Sequence, residues 1–208
     1  MSQPIPTRIY RITHYSNVPA ILQEGIYCAN HAACQNRTYQ SIGDTSLIAR
    51  RNTIRVPVAK GGVLSDYVPF YLGPRSPMLF VINKRDDDAQ SEVVYLISSV
   101  QTIEHLHLPF AFTDGHAYEA ISTFHDDPNH LAALDWVDIY SHQWAVDPIQ
   151  YPHRRRHKQA EFLVHDHVPV NALLGIAVYN DQIRILIEGM VEQAGLTLPV
   201  RVYRPWYY

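Results

Sequence analysis

Cysteine is nearly absent: the 208 residues hold two, Cys28 and Cys34, with no second pair to complete a zinc site. Reduced thiols are the expected state, which excludes a scaffold built on disulfides. Charge is also scarce, at 18% Asp, Glu, Lys and Arg, too little for a disordered or coiled-coil chain. The formal net charge is only -3, so a polycationic field is excluded and any nucleic-acid site must be a local patch. No eighteen apolar residues run together, and the N-terminus lacks a cationic start followed by an apolar stretch. Neither membrane spanning nor export is expected, and the chain reads as cytoplasmic. Missing too are GxGxxG after a strand, the phosphate loop GxxxxGKS/T, GxSxG and HExxH, so any nucleotide is bound without those cradles.

What is present suits one core. At 47% hydrophobic and with no linker dividing it, the chain reads as a single domain over residues 1–208. Arg8 to Thr13 alternates as a strand, Asn17 to Glu24 reads as a helix stopped at Gly25, and Thr45 to Asn52 as a second helix. There Leu47 and Ile48 share a face with Arg51, so that packing supports the arginine from below while its head reaches outward. After the Gly61-Gly62 turn a strand runs to Tyr71, and Pro69 confines it to an edge or a bulge. Further strands are expected at about 78–83, 92–98, 110–113, 161–165, 175–179 and 200–203, and helices over 100–107 and 181–194. Asp86-Asp87-Asp88 reads as an exposed loop. Residues 114–157 have weak periodicity apart from helical pieces near 129–134 and 136–140, and so long an insertion is expected to be functional. Hairpins mixed with helices point to an α+β architecture rather than a βαβ array.

One carboxylate stands out. Glu161 opens the apolar run Glu161-Phe162-Leu163-Val164 directly behind the basic cluster His153-Arg154-Arg155-Arg156-His157-Lys158. Burying it is costly, so it is either an ordinary strand-edge ion pair with one of those arginines or a charge that some chemistry needs. The basic cluster is either a solvated face or a contact for nucleic-acid phosphates. Twelve histidines are scattered through the chain, and close pairs such as His153/His157 and His165/His167 lack Cys or carboxylate partners at matching spacing, so no metal is expected.

The run Gly62-Val63-Leu64-Ser65-Asp66-Tyr67-Val68-Pro69-Phe70-Tyr71, continuing to Pro74-Arg75-Ser76-Pro77-Met78-Leu79, resembles the signature of the DarT family. These are toxins of bacterial toxin–antitoxin pairs that ADP-ribosylate single-stranded DNA. The resemblance extends over nearly the whole chain, through Ile12-Thr13-His14, the Arg51 helix, Pro109 to Asp114 with His116, Gln159-Ala160-Glu161 and the closing Trp206-Tyr207-Tyr208.

The resemblance implies an ADP-ribosyltransferase fold in which two small packed sheets, with flanking helices, hold NAD in a cleft. ADP-ribose would pass from NAD to a DNA base, most often thymidine; a related branch uses guanosine, and relatives of the wider fold use RNA or protein. By motif position Glu161 and Arg51 would be catalytic, and Thr13, His14, Asn17, Arg51 and Tyr71 would bind NAD. His116, Trp144, Arg75, Arg154 and Arg155 would face DNA, with about 114–157 as the substrate loop and a macrodomain antitoxin as partner. The chemistry asks for these types. Cleaving nicotinamide from ribose generates an oxocarbenium-like sugar that a carboxylate stabilises. An aromatic ring supplies a flat wall for the departing nicotinamide. A thymine ring nitrogen must lose its proton to attack; arginine is never a practical base, so Arg51 is expected to stabilise the anionic base or the pyrophosphate while Glu161 or water takes the proton. Taken alone, His14 and Tyr71 read as core residues, and Tyr118, Trp136, Tyr140 and Trp144 either stack bases or pack.

Overall fold

A computed structural model describes residues 1–34, 38–85, 89–144 and 146–208. The Asp86-Asp87-Asp88 loop expected from the sequence lies outside the described residues. In chain order the main elements are β1 (Arg8–His14), α1 (Val18–Glu24), β2 (Ile26–Tyr27), α2 (Thr45–Arg50), β3 (Tyr67–Tyr71), α3 (Pro77–Arg85), β4 (Val93–Ser99), α4 (Val100–His105) and β5 (Phe110–Thr113). They continue with β6 (Phe124–His125), α5 (Trp136–Tyr140), α6 (Arg154–His157), β7 (Glu161–His165), β8 (His167–Val168), β9 (Gly175–Val178), α7 (Asp181–Gln193) and β10 (Val200–Val202). Among the described residues no helix is long and apolar enough to cross a membrane.

The mixture is α+β, and its sheet is built in two halves. Eight strands run in the order β10-β9-β4-β1-β3-β7-β5-β6, with β2 and β8 as a separate pair. The two small sheets expected from the sequence correspond to β10-β9-β4-β1 and β3-β7-β5-β6, which are not fully separate: they meet at one register pair, Tyr10↔Tyr71. By contrast β1 pairs with β4 along its full length, from Arg8↔Ser99 to His14↔Val93. Pro69 explains the seam. It has no N–H to offer β1, and its carbonyl accepts from the Arg11 guanidinium at 2.9 Å instead. The edge that Pro69 demands is therefore internal, and a cleft opens along it.

Alternation along the strands fills both faces. Ile9, Val94, Leu96, Phe70, Phe112 and Phe162 join the larger core under α1 and α7, whereas Tyr10, Ile12, Val93 and Tyr95 face a second core closed by Leu79 and Tyr207. The strand expected at 78–83 is a helix, α3. Pro77 sits at its first turn, where no N–H is needed, and the Ser76 hydroxyl accepts from the Leu79 amide at 3.2 Å. The Ser-Pro start carried the helix signal that the apolar run Met78 to Ile82 obscured.

Candidate active site

Glu161 occupies the first position of β7, opposite Tyr71 of β3. Its side chain is only 6% exposed, beside the seam between the two half-sheets. Three groups satisfy it. Oε2 accepts from Arg51 Nη1 at 3.0 Å, and Oε1 accepts from the Ala117 amide at 3.0 Å. His116 Nδ1 lies 3.1 Å from Oε1 and 3.2 Å from the Tyr118 amide, donating to Oε1 when Nδ1 carries the proton and accepting from the amide when it does not. Burial alone would push this carboxyl up; the Arg51 guanidinium and the His116 and Ala117 hydrogen bonds outweigh it and hold the group at about 2. The Tyr71 hydroxyl is pushed up by burial and by the neighbouring carboxylate, so it stays neutral.

Arg51 follows directly on α2, which Asp44 caps by accepting from the Ser46 and Leu47 amides. Its support differs from the one read in the sequence. Leu47 and Ile48 are 38% and 43% exposed and line the cleft, so the arginine is held by its ion pair with Glu161 rather than by packing from below. The adjacent Arg50 donates to the Tyr118 hydroxyl at 2.5 Å, which ties the same helix to the 114–157 stretch. Arg51 Nη2 is buried and meets no protein acceptor among the described residues. An orphaned cationic N–H beside a cleft fits an anionic or carbonyl oxygen of a ligand.

The cleft encloses about 460 Å³ and is walled by Arg11 and Ile12 of β1, Pro69 to Tyr71 of β3, Tyr39, residues 41–44, Leu47 and Ile48 of α2, Arg51, one face of α3, His116, Arg155, Gln159 and Glu161. Glu161, Arg51, Tyr71, His116 and Arg155 are thus brought together on one cleft. Thr13, His14 and Asn17 are not in this lining. Asn17 exchanges hydrogen bonds with the backbone of Gln40, and the Thr13 hydroxyl meets Asn17 at 2.9 Å and the Tyr39 hydroxyl at 3.0 Å, so both hold the rim segment that Tyr39 and Gln40 belong to. His14 stacks on Tyr15 and contacts Ser16 and Glu92.

Three expected nucleic-acid contacts are engaged elsewhere. Arg154 is buried, with Nε donating to Asp138 at 3.1 Å and its guanidinium 3.6 Å from the Tyr151 ring centre. A buried, paired guanidinium is not available to a phosphate. Arg75 Nη1 donates to the Tyr207 carbonyl, and the guanidinium stacks 4.1 Å from the Tyr208 ring centre. Trp144 donates from Nε1 to the Tyr208 hydroxyl at 2.6 Å and packs near Phe80. Side-chain types showed only that these residues suit DNA; their local partners lie far off in the chain. Sequence reasoning also missed Tyr39, Met78 and Gln159, which line the cleft, and the Ala117 amide, a backbone donor that no side chain announces. The Thr113-Asp114-Gly115 turn was the available signal for that amide.

The family profile described as "ssDNA thymidine ADP-ribosyltransferase, DarT" matches residues 10–208. A DNA ADP-ribosyl transferase of Thermus aquaticus is 39% identical over the whole chain and 92% of its own length, and one of Escherichia coli O127:H6 is 35% identical over 99% of this chain and 95% of its own. Among solved structures, Thermus sp. 2.9 DarT in complex with ADP-ribosylated ssDNA superposes with a TM-score of 0.91 at 35% identity, covering 100% of this chain and 99% of that one. The same protein in complex with NAD+ gives 0.86 at 35% identity, covering 100% of both chains. A cleft floored by a clamped glutamate between two half-sheets, a profile match from Tyr10 onward and these relatives agree: the chain belongs to the DarT family of single-stranded-DNA thymidine ADP-ribosyltransferases.

Proposed function

We propose that this protein transfers ADP-ribose from NAD to thymidine in single-stranded DNA and releases nicotinamide. The observation that carries the reading is Glu161: a carboxylate kept ionised while buried on the floor of the cleft, with donors already aimed at both oxygens. In the reaction the bond between the ribose anomeric carbon and the nicotinamide nitrogen breaks, and its electron pair stays on the departing nicotinamide. The thymine ring nitrogen bonds to the same carbon as it loses its proton. Glu161 stabilises the cationic sugar and orients it through a ribose hydroxyl. Tyr71, neutral and half-buried at the end of β3, offers its ring to the nicotinamide. Arg51 stays charged throughout, and its orphaned Nη2 suits the anionic base or the pyrophosphate. The thymine proton passes to Glu161 or to water.

His116 and Arg155, on the cleft wall, are the proposed contacts to the strand. Thr13 and Asn17 are proposed to serve NAD through the rim they support, and His14 by binding it directly. The chain is read as one domain over 1–208 with residues 114–157 as the substrate loop, acting in the cytoplasm as a toxin that a macrodomain antitoxin reverses. Incubation with NAD and single-stranded oligonucleotides that contain or lack thymidine, followed by mass spectrometry, tests the reading. An adduct on thymidine-containing strands alone is expected. Modification of guanosine, RNA or protein instead, or no adduct, overturns it.

A further inference from the structure

The basic cluster ahead of β7 points largely inward. Arg154 Nε and His157 Nδ1 both bind the Asp138 carboxylate, at 3.1 and 2.9 Å, and the Asp138 side chain is 4% exposed. Lys158 Nζ donates to the Ser141 carbonyl. Arg156 Nη2 pairs with Asp114 Oδ2 at 2.6 Å and donates to the Ile121 carbonyl at 3.3 Å. Only Arg155 of the four consecutive residues of α6 is left exposed on the cleft. The stretch from 114 to 141 is therefore tied at several points to the short segment that leads into Glu161.

The Arg156 tie reaches the reacting carboxylate through the fewest intermediates. Asp114 Oδ2 takes Arg156, and Asp114 Oδ1 accepts from the Thr123 amide at 2.8 Å. Gly115 lies so close under Arg156 that a Cβ there would stand 2.8 Å from Arg156 Cγ. The next two residues are His116 and Ala117, the pair that holds Glu161 Oε1. On the other side of the turn, the Thr113 hydroxyl donates to the Gly115 carbonyl at 2.7 Å and accepts from the Glu161 amide at 3.3 Å. Burial opposes charge on Asp114, yet the Arg156 hydrogen bond and the Thr123 amide hold its carboxyl below the usual range, so the tie is charged at neutral pH.

We propose that Arg156 and Asp114 are positioning residues for the transfer reaction, fixing the 113–117 turn so that the Ala117 amide and the His116 ring clamp Glu161. This rests on Glu161 being the reacting carboxylate. Without the pair the turn loses its charged anchor, Oε1 loses its donors, and the carboxylate drifts from the anomeric carbon. Misplacement of that order costs turnover by roughly 10- to 100-fold. Arg51, His116 and the Tyr71 hydroxyl face the carboxylate; of these, the tie governs His116 alone.

The test measures transfer to a thymidine oligonucleotide, its pH profile and the melting temperature for Arg156→Gln, Asp114→Asn, the double variant, Arg156→Lys and Glu161→Gln. Expected are a fall in kcat for both single variants with KM for NAD within about twofold, no further fall in the double variant, partial rescue by Arg156→Lys, and an acid limb moved up toward the ordinary glutamate range. Wild-type kcat and pH profile in Arg156→Gln and Asp114→Asn, with Glu161→Gln inactive, overturn the positioning role and leave the reading of Glu161 intact. So does a loss of kcat that only tracks the melting temperature while the acid limb stays fixed. Transfer at the normal rate by Glu161→Gln overturns the reading itself, and the positioning role with it.

Discussion

At the scale of single residues the proposed chemistry rests on an ion pair with spare capacity. Arg51 gives one amino group to Glu161, and the other meets no protein acceptor among the described residues. Arg51→Lys retains charge but loses the second donor of the fork, so transfer should fall while the protein stays folded; unchanged turnover in steady-state assays would remove the guanidinium from the mechanism. Glu161→Gln should lower transfer by about 10²- to 10³-fold, the scale set by losing one preorganised electrostatic contact to a charged transition state. The low pKa of Glu161 has a sign. Because the folded value, about 2, lies below that of an unfolded glutamate, its contribution to stability is present above the ordinary carboxylate range and is lost as pH falls toward 2. Activity should therefore show no loss from this group between about pH 7 and pH 5, and thermal melts should weaken only in more acid buffer. An acid limb centred on the normal glutamate range would contradict the clamp.

At the scale of elements, two close approaches decide where the site sits. A Cβ on Gly73 would stand 2.5 Å from the Ile139 carbonyl, so the exit of β3 and the end of α5 are in backbone contact. Gly73→Ala forces one of them to move, and a destabilisation of about 1–3 kcal/mol in urea unfolding is expected, with weakened transfer because Tyr71 lies two residues upstream. The other approach is at the seam, where Pro69 withholds a donor and Arg11 fills the gap. Helices α2 and α3 face this seam with half-exposed apolar residues, Leu47, Ile48 and Val81, all of which line the cleft. Such residues cost little in the unliganded protein and offer flat contact to rings that enter.

At the scale of the whole molecule, the C-terminal aromatics bind the two half-sheets' surroundings together. The Tyr207 hydroxyl donates to the carbonyls of Val93 and Ala177, and its ring packs edge-on against Tyr95. Tyr207→Ala should cost about 3–5 kcal/mol by calorimetry or urea unfolding, and Tyr207→Phe about 1 kcal/mol. Tyr208 joins Trp144 to Arg75 beyond β3. Much of this protein was legible in its amino acids. Period-two alternation specified β1, the apolar run that Glu161 opens marked β7, and the helical pattern over 181–194 matched α7, which Asn180 caps and Gly195 follows at positive φ. These signals are local, because strand and helix periods and caps act over a few residues. The α3 segment was misread because a short apolar run satisfies both periods and the Ser-Pro start was the deciding mark. Glu161, Arg51, Tyr71, His116 and Arg155 could be nominated by type and order, but their convergence needed the chain to fold. Only tertiary structure decided which arginines are free: Arg154 and Arg156 meet Asp138 and Asp114 from distant positions, and Arg75 meets the tail, leaving Arg155 on the cleft. A guanidinium's availability depends on which carboxylates and carbonyls surround it in space, and sequence neighbours carry no record of that.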